Sequence, residues 1–477
     1  MKNFLLACIL LLATSKIHAQ QDTWDLRRCV EYAIANNISV KQADVTARTF
    51  ALQAKFARAQ IYPNVGFNTS GGLNFGRSVD PTSNQYTTNS VLFQSYNLTS
   101  GVTLFNFFKL RNDIKAAEAL QGANEINLNA VRNNISLNVA ASYLQYLLAI
   151  ETANAAKLQI QQTQSQLSNT RKLVDAGSMP ELNAAQFEAQ LATDSSSYIT
   201  DQGLADQQKI ALMGLLNLDA ATPFEVSVPD VDKIPLEALS EMQPADVYQR
   251  ALSTQPLQRF DSLNIVVQQF KIRSARSAMY PTLGAFVQLG SNYASTFREF
   301  GGAYSTGKYD TLGVVPVNGT NYYALTPGFG TFISKPSYWR QIGNINFSQA
   351  FGLQLTVPIF NNRALRTNYE SAKLNMETYK LNQQQDNLTL QTNVYQAYSS
   401  SVSAMQKYNA STKAYEIDEY AFELAKKRYE IGVLSTIDYI TTQTNMFKAK
   451  IDQLSAHYDY VFKMKILEFY KGQGVKL

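Results

Sequence analysis

The chain has 477 residues, 45% apolar, 17% charged and 11% aromatic, a composition that excludes the disordered and collagenous classes. Its 42 basic and 37 acidic residues give a net charge of +5, and two of the lysines fall in the first twenty residues, so the balance does not point to nucleic acid. Of two cysteines and two histidines, Cys8 and His18 lie in that same leader, and Cys29 and His457 cannot build a disulfide framework, a zinc cluster or a Cys/His dyad.

Residues 1–19 read as a secretory signal peptide: Lys2, an apolar run from Phe4 to Ala13, and Ala19 at the cut before Gln20. Leu6-Ala7-Cys8 has a faint likeness to a lipoprotein box, but it would leave too short an apolar core, and no lipid anchor is expected. Past the leader no apolar run reaches the roughly 18 residues of a membrane-spanning helix. The mature chain is therefore soluble or crosses a membrane as strands, which hydropathy does not separate.

Residues 20–217 form the first of two structural repeats. A helix is expected over Leu26–Ile61. Val65, Phe67, Leu73 and Phe75, then Tyr96, Leu98, Val102 and Leu104, alternate with polar residues as two strands. A proline-free helix follows from about Phe107 to Val174, with Leu128, Val131, Ile135, Val139, Tyr143, Tyr146 and Ile150 in steps of three or four. A turn at Asp175-Ala176-Gly177 leads to a helix over Leu182–Leu216, and residues 218–243 read as a linker.

The second repeat spans residues 244–471 and is followed by a tail, 472–477. Tyr62-Pro63 pairs with Tyr280-Pro281, 218 residues on, and Leu104-Phe105-Asn106 pairs with Ile359-Phe360-Asn361, 255 residues on. The difference of 37 residues falls between Gly284 and Phe360, within a Gly/Tyr-rich stretch of about 292–344 that reads as a long surface loop. The strands here are Leu283 to Leu289 and, more clearly, Ile345 to Ile359. The helix of Asn362–Glu430 then carries Leu374, Leu381, Leu388, Tyr395 and Val402 at intervals of seven. Ile437, Ile440, Thr444, Phe447, Ile451, Leu454, Tyr458 and Val461 continue in strict steps of three and four, a coiled-coil seam. At about 1.5 Å per residue, each long helix would extend roughly 100 Å. The fold class is thus α+β and internally duplicated, with long coiled-coil helices and four amphipathic strands per chain. If these strands enter a membrane, four cannot close a barrel, whose smallest forms have about eight, so several chains must share one; eight strands from two chains would fill their interior with side chains. Twelve strands from a trimer would leave a lumen.

The duplicated helix–strand–strand–helix–helix unit, the Tyr-Pro and Phe-Asn junctions and the turns at Gly177 and Gly432 together resemble the outer-membrane efflux proteins, the TolC-like channels of Gram-negative bacteria. The resemblance implies a homotrimer with a 12-stranded barrel in the outer membrane and a helical tunnel in the periplasm. It implies passive exit of drugs, small molecules or secreted proteins. The implied partners are outer-membrane lipid, a periplasmic adaptor (membrane fusion) protein and an inner-membrane RND, ABC or similar pump, with no nucleic acid and no cofactor.

Gly177 and Gly432 read first as left-handed glycines ending helices. The resemblance adds adaptor docking at Gly177, Ser178, Gly432, Val433 and Leu434. Ser178 with Glu181, and Ser435 with Asp438, read as capping boxes. The resemblance also sets Asp438 in an acidic ring at the periplasmic aperture, where the first repeat has Asn183, with Glu181 nearby as a second acid. Such a ring favours cations.

Gly302 to Lys308 nearly spells a P-loop, but Tyr309 replaces the magnesium-holding hydroxyl residue. Tyr293, Tyr322, Tyr323, Tyr338 and Trp339 read as a membrane-interface girdle or loop packing before they read as a ligand platform. Cys29 reads as a small apolar helix residue, and no constellation supports catalysis. The second reading is a secreted coiled-coil adhesin or spacer with a soluble β cap, which would extract without detergent.

Overall fold

The computed structural model describes residues 23–79, 84–88, 90–228, 231 and 234–472. The expected signal peptide, 1–19, and tail residues 473–477 lie outside them. The described chain divides into two compact units, a helical one within 1–53, 116–268 and 374–477 and a strand-bearing one within 54–115 and 269–373.

In chain order the elements are α1 Leu26–Asn36, α2 Ile38–Ala59, β1 Asn64–Asn74, β2 Ser78–Val79, β3 Tyr86–Thr87, β4 Val91–Phe105, α3 Lys109–Asp175 and α4 Glu181–Leu216. Then follow α5 Pro244–Thr254, α6 Pro256–Ser277, β5 Thr282–Ala294, β6 Glu299–Val317, β7 Thr320–Ser334, β8 Ser348–Thr356, α7 Ala364–Glu430 and α8 Thr436–Lys471. The duplication holds to the residue. Helices α5 and α6 begin and end 218 positions after α1 and α2, and α7 and α8 begin and end 255 after α3 and α4.

In the helical unit the same packing is built twice. Cys29, Ala33, Val139 and Leu212 share a buried cluster with Tyr143, Leu147 and Leu216. Their counterparts Val247, Ala251, Val394 and Leu467 share another with Met242, Leu390 and Met464. Burial at that position pushes the Cys29 thiol up to about 12, so it behaves as a small apolar side chain. The linker is tied to the helices by polar contacts. Tyr143 Oη donates to Ser227 O at 2.7 Å, and Lys465 Nζ donates to Pro235 O at 2.8 Å while pairing with Glu468 at 2.8 Å. Glu468 Oε1 in turn accepts from Glu237 N at 3.1 Å, so both buried charges have further partners, as a buried ion pair requires.

The helix expected over Leu26–Ile61 is broken at Asn37, and its counterpart is broken at Gln255. Both break residues are extended, with ψ of 133° and 130°. Pro256 accounts for the second break, because proline disfavours helical backbone in the residue before it. The first is held by side-chain bonds: Asn37 Oδ1 accepts from Ser39 N, and Asn37 Nδ2 donates to Leu215 O, both at 2.9 Å. Gln255 Nε2 makes the matching bond to Phe469 O at 3.1 Å.

In the strand-bearing unit, β1, β4, β5 and β8 form one antiparallel sheet in that order. Strand β8 is shorter than the alternation from Ile345 to Ile359 predicts. Its start is replaced by a π turn at Gln341–Ile345, where Asn346 Nδ2 donates to Asn292 O at 2.6 Å, and Pro358 offers no ladder donor at its end. The stretch expected as a surface loop is an ordered hairpin, β6 with β7, turning on Asn318 and Gly319 at φ of 48° and 82°. Two adjacent positive-φ residues in a two-residue connection make a type I′ turn, whose twist matches the strands it joins. The near P-loop lies on β6 and forms no phosphate cradle between strand and helix. At both strand-to-helix junctions two successive non-glycine residues take positive φ: Phe107 and Phe108, then Asn362 and Arg363. Such residues cost about 1–2 kcal/mol each. Phe107 offsets part of this by stacking on Tyr280 at 4.9 Å.

Candidate functional site: the open sheet and the helical turns

Two places carry the features a function could use, and each lies within one unit. The first is the four-stranded sheet. Register puts Val65, Ser100, Val287 and Phe351 in one row across it, with Phe67, Leu98 and Leu289 in the next and Val102, Ala285 and Leu353 in another. Side chains alternate faces along a strand, so these rows share one face. Phe351 is 84% exposed and Leu353 68%, so this apolar face is bare in the single chain. The opposite face carries Asn68, Asn97, Thr99, Gln288, Gln354 and Ser348. Phe93 and Phe286 are its aromatic exceptions, and the Phe286 ring lies against Gly352, where an added Cβ would approach to 3.0 Å. Alternation alone did not single out Phe286, because its row became visible only with the register.

Strands β1 and β8 are the sheet's edges. Each has a row of backbone groups without a partner strand, a template for further pairing. Three antiparallel steps separate them, so they run in opposite directions, and β8 of one copy can pair antiparallel with β1 of the next.

The second place is the pair of helix–turn–helix tips. After α3, Gly177 takes φ +72°, its N–H donates to Val174 O and Ser178 N donates to Leu173 O, both at 2.8 Å. After α7, Gly432 takes φ +75°, and Gly432 N and Val433 N donate to Tyr429 O and Arg428 O, both at 2.9 Å. These are two copies of the Schellman motif. Both turns rest on one core. Phe187 packs edge-on to Tyr429 and Tyr439, Tyr439 stacks on Tyr429 at 4.7 Å, and Met179 and Leu434 cover the cluster. Tyr439 Oη accepts from Gln166 Nε2 at 3.1 Å, and burial pushes its hydroxyl up to about 12. The aromatic trio was absent from the expected site because Phe187 lies more than two hundred residues before Tyr429 and Tyr439, in the other repeat.

The second turn has the expected cap: Ser435 Oγ accepts from Asp438 N at 3.2 Å and donates to Asp438 Oδ2 at 2.6 Å. The first does not. There Pro180 is the residue before the helix, it offers no side-chain cap, and α4 opens at Glu181, two residues later than a Ser178 box would start it. Proline's fixed φ starts the helix where a hydroxyl would otherwise do so. Gly177, Ser178, Glu181, Gly432, Val433 and Asp438 are exposed, while Asn183 and Leu434 are half-buried.

Of the five aromatics expected as a girdle, Tyr293, Tyr338 and Trp339 cluster, with rings 4.8 and 5.2 Å apart, and Tyr96 and Tyr338 share a hydroxyl contact of 2.7 Å. Tyr322 and Tyr323 sit apart from them on β7, opposite Val315 and Val314. His457 stacks on Tyr408 at 4.4 Å.

The family described as outer membrane efflux protein matches this chain over residues 29–218 and 325–470. The chain belongs to the outer membrane efflux protein family. The two matched stretches fall one in each repeat. Among relatives, the probable efflux pump outer membrane protein TtgC of Pseudomonas putida is 20% identical, covering 89% of this chain and 78% of its own. The pyoverdine export outer membrane protein OpmQ of the same species is 22% identical, over 90% and 82%. Among solved structures, the CmeC outer membrane channel of Campylobacter jejuni superposes with a TM-score of 0.72 at 18% identity, over 94% of this chain and 86% of that one. At such an identity the structural likeness concerns the fold alone.

Proposed function

We propose that this outer membrane efflux protein forms a passive exit duct shared by three copies, each lending four strands to a 12-stranded barrel. One observation carries the reading: a largely apolar face, bare at Val65, Phe67, Phe351 and Leu353, spans a sheet whose two edges are both unpaired. In hydrocarbon every backbone polar group must be bonded, so a spanning sheet has to close. Three copies close it with a lumen, and the Asn- and Gln-bearing face then lines water.

The helical tips become the periplasmic mouth. Gly177, Ser178, Gly432, Val433 and Leu434 dock a periplasmic adaptor, which joins the duct to an inner-membrane pump of the RND, ABC or a similar class. Ile431, Val433 and Ile437 expose apolar side chains there, which suits such a contact. Asp438, with Asn183 and Glu181 of the first repeat beside the same core, forms the aperture. The relatives' names give efflux and pyoverdine export, and drugs, other small molecules or secreted proteins are the cargo classes a water-filled duct admits.

Mass measurement of the full chain in detergent, followed by planar-bilayer recording, tests the reading. A trimer with small, mostly closed conductance is the expected result. A monomer that stays soluble without detergent overturns it.

A further inference from the structure

Helix α6 buries a polar stripe. Gln258, Asp261, Asn264 and Gln268 follow one another in steps of three or four, and each is more than nine-tenths buried. Polar groups this deep are normally bonded, and an oxygen left without a donor costs about 1–3 kcal/mol. Along this seam Gln258 Oε1, Asp261 Oδ2 and, on the facing helix α7, Asn387 Oδ1 receive no donor from the described residues.

Next to Asn387 stands Asp386, whose carboxyl lies within hydrogen-bonding reach of Asp261. Burial, and then the neighbouring Asp386 charge, pushes the Asp261 carboxyl up to about 6. A cavity of about 480 Å³ is lined by both aspartates with Asn264, Asn382 and Gln385, and a second, of about 240 Å³, is lined by Gln258 and Asp386. No lysine or arginine lines either one.

Two occupants could satisfy this arrangement. A proton shared by the carboxyls would bridge one oxygen pair and leave Gln258 Oε1 as it is. A cation accepts several lone pairs at once. Oxygen donors with two carboxylates, and no sulfur or imidazole, suit a hard divalent ion. Half-buried Asp386 gives it a way in, and the larger cavity leaves room for part of its water shell.

We propose that Asp261 and Asp386, with the amide oxygen of Gln258, bind one hard divalent cation of the calcium class between α6 and α7. With two carboxylates the site is weak, with a Kd on the order of 10⁻⁴–10⁻³ M. The ion ties the second repeat's short helix to its long one. The first repeat has no such pair: the positions matching Asp261 and Asp386 are Ala43 and Val131, and neither side chain can ligate a cation.

The test uses the full chain in detergent, stripped with chelator and titrated with calcium chloride by calorimetry and by thermal unfolding. One saturable site per chain is expected, with a rise in Tm. Asp261→Asn and Asp386→Asn should each weaken binding by about tenfold or more. Glu416→Gln, an exposed carboxylate of α7 that lines neither cavity, should leave it unchanged, and retention of the oligomer shows that each variant has folded. No saturable binding, or binding unaltered in Asp261→Asn, overturns the proposal. So does a Tm that ignores calcium but falls as pH rises through about 6, the behaviour of a shared proton: a carboxyl raised in the folded state stabilises at low pH and loses that contribution above its folded value.

Discussion

The two helical tips share a backbone and differ in chemistry. Both long helices end in a Schellman turn around a glycine at nearly the same φ, yet Ser435 and Asp438 cap the helix after the second turn while Pro180 stands uncapped after the first. Duplication has kept what the chain path needs, a residue without a Cβ where the path reverses. It has released what only trims stability. The sheet shows the same division. Its apolar face crosses both repeats with Ser100 and Gln349 as polar members, while the connection between the strands carries the two-residue pair β2–β3 in one repeat and the long β6–β7 hairpin in the other.

The contrast between the two sheet faces gives the largest expected effect. Leu353→Arg places a charge on the apolar face and should cost about 2–4 kcal/mol of folding free energy in vesicles if the site lies near the bilayer midplane. Gln354→Arg, one residue on and facing the other way, should cost far less. Urea titration in lipid vesicles reads both, and equal losses would show that the faces do not meet different solvents.

Next come the tip glycines. Neither has a heavy atom within 4 Å of where a Cβ would stand, so replacement is resisted by the backbone alone. Gly177→Ala and Gly432→Ala should each cost about 1–2 kcal/mol, by the same amount, with asparagine milder at both sites. Thermal unfolding of the four variants would break the equivalence of the tips if one glycine proved dispensable.

The caps then separate what the glycines unite. Ser435→Ala removes a bonded cap and should cost about 1 kcal/mol. Ser178→Ala should fall within about 0.5 kcal/mol of the parent, because α4 starts beyond it at Glu181 without a side-chain cap.

Much of this was legible in the sequence because it rests on period. Alternation placed the apolar rows of the sheet, and the 218- and 255-residue offsets placed α5, α6, α7 and α8 of the second repeat. What escaped depended on partners distant in sequence or on single residues. The break at Asn37 is held by Leu215 O, and the Phe187, Tyr429 and Tyr439 cluster joins three helices. The β6–β7 hairpin did have a local signal, Asn318-Gly319 between apolar residues, which the glycine- and tyrosine-rich composition around it obscured. The Ser178 box failed for the opposite reason: the spacing was right, but Pro180 claims the helix start.

Asp438 carries only a small stability effect, and it discriminates most sharply between a cap and a gate. Its carboxylate sits in the first turn of α8, where an acid favours the helix dipole by about 0.3–1 kcal/mol, less at high salt. Asp438→Asn keeps the backbone N–H that Ser435 Oγ accepts, so the cap survives and Tm should drop only slightly. If three such carboxylates also ring an aperture, neutralising them should raise open probability and lower cation preference in single-channel recordings. Asn183→Asp, which writes a second acid at the matching position of the first repeat, should move both readouts the other way. A small Tm loss with unchanged conductance would leave Asp438 as a cap alone, and would confine the difference between the tips to stability.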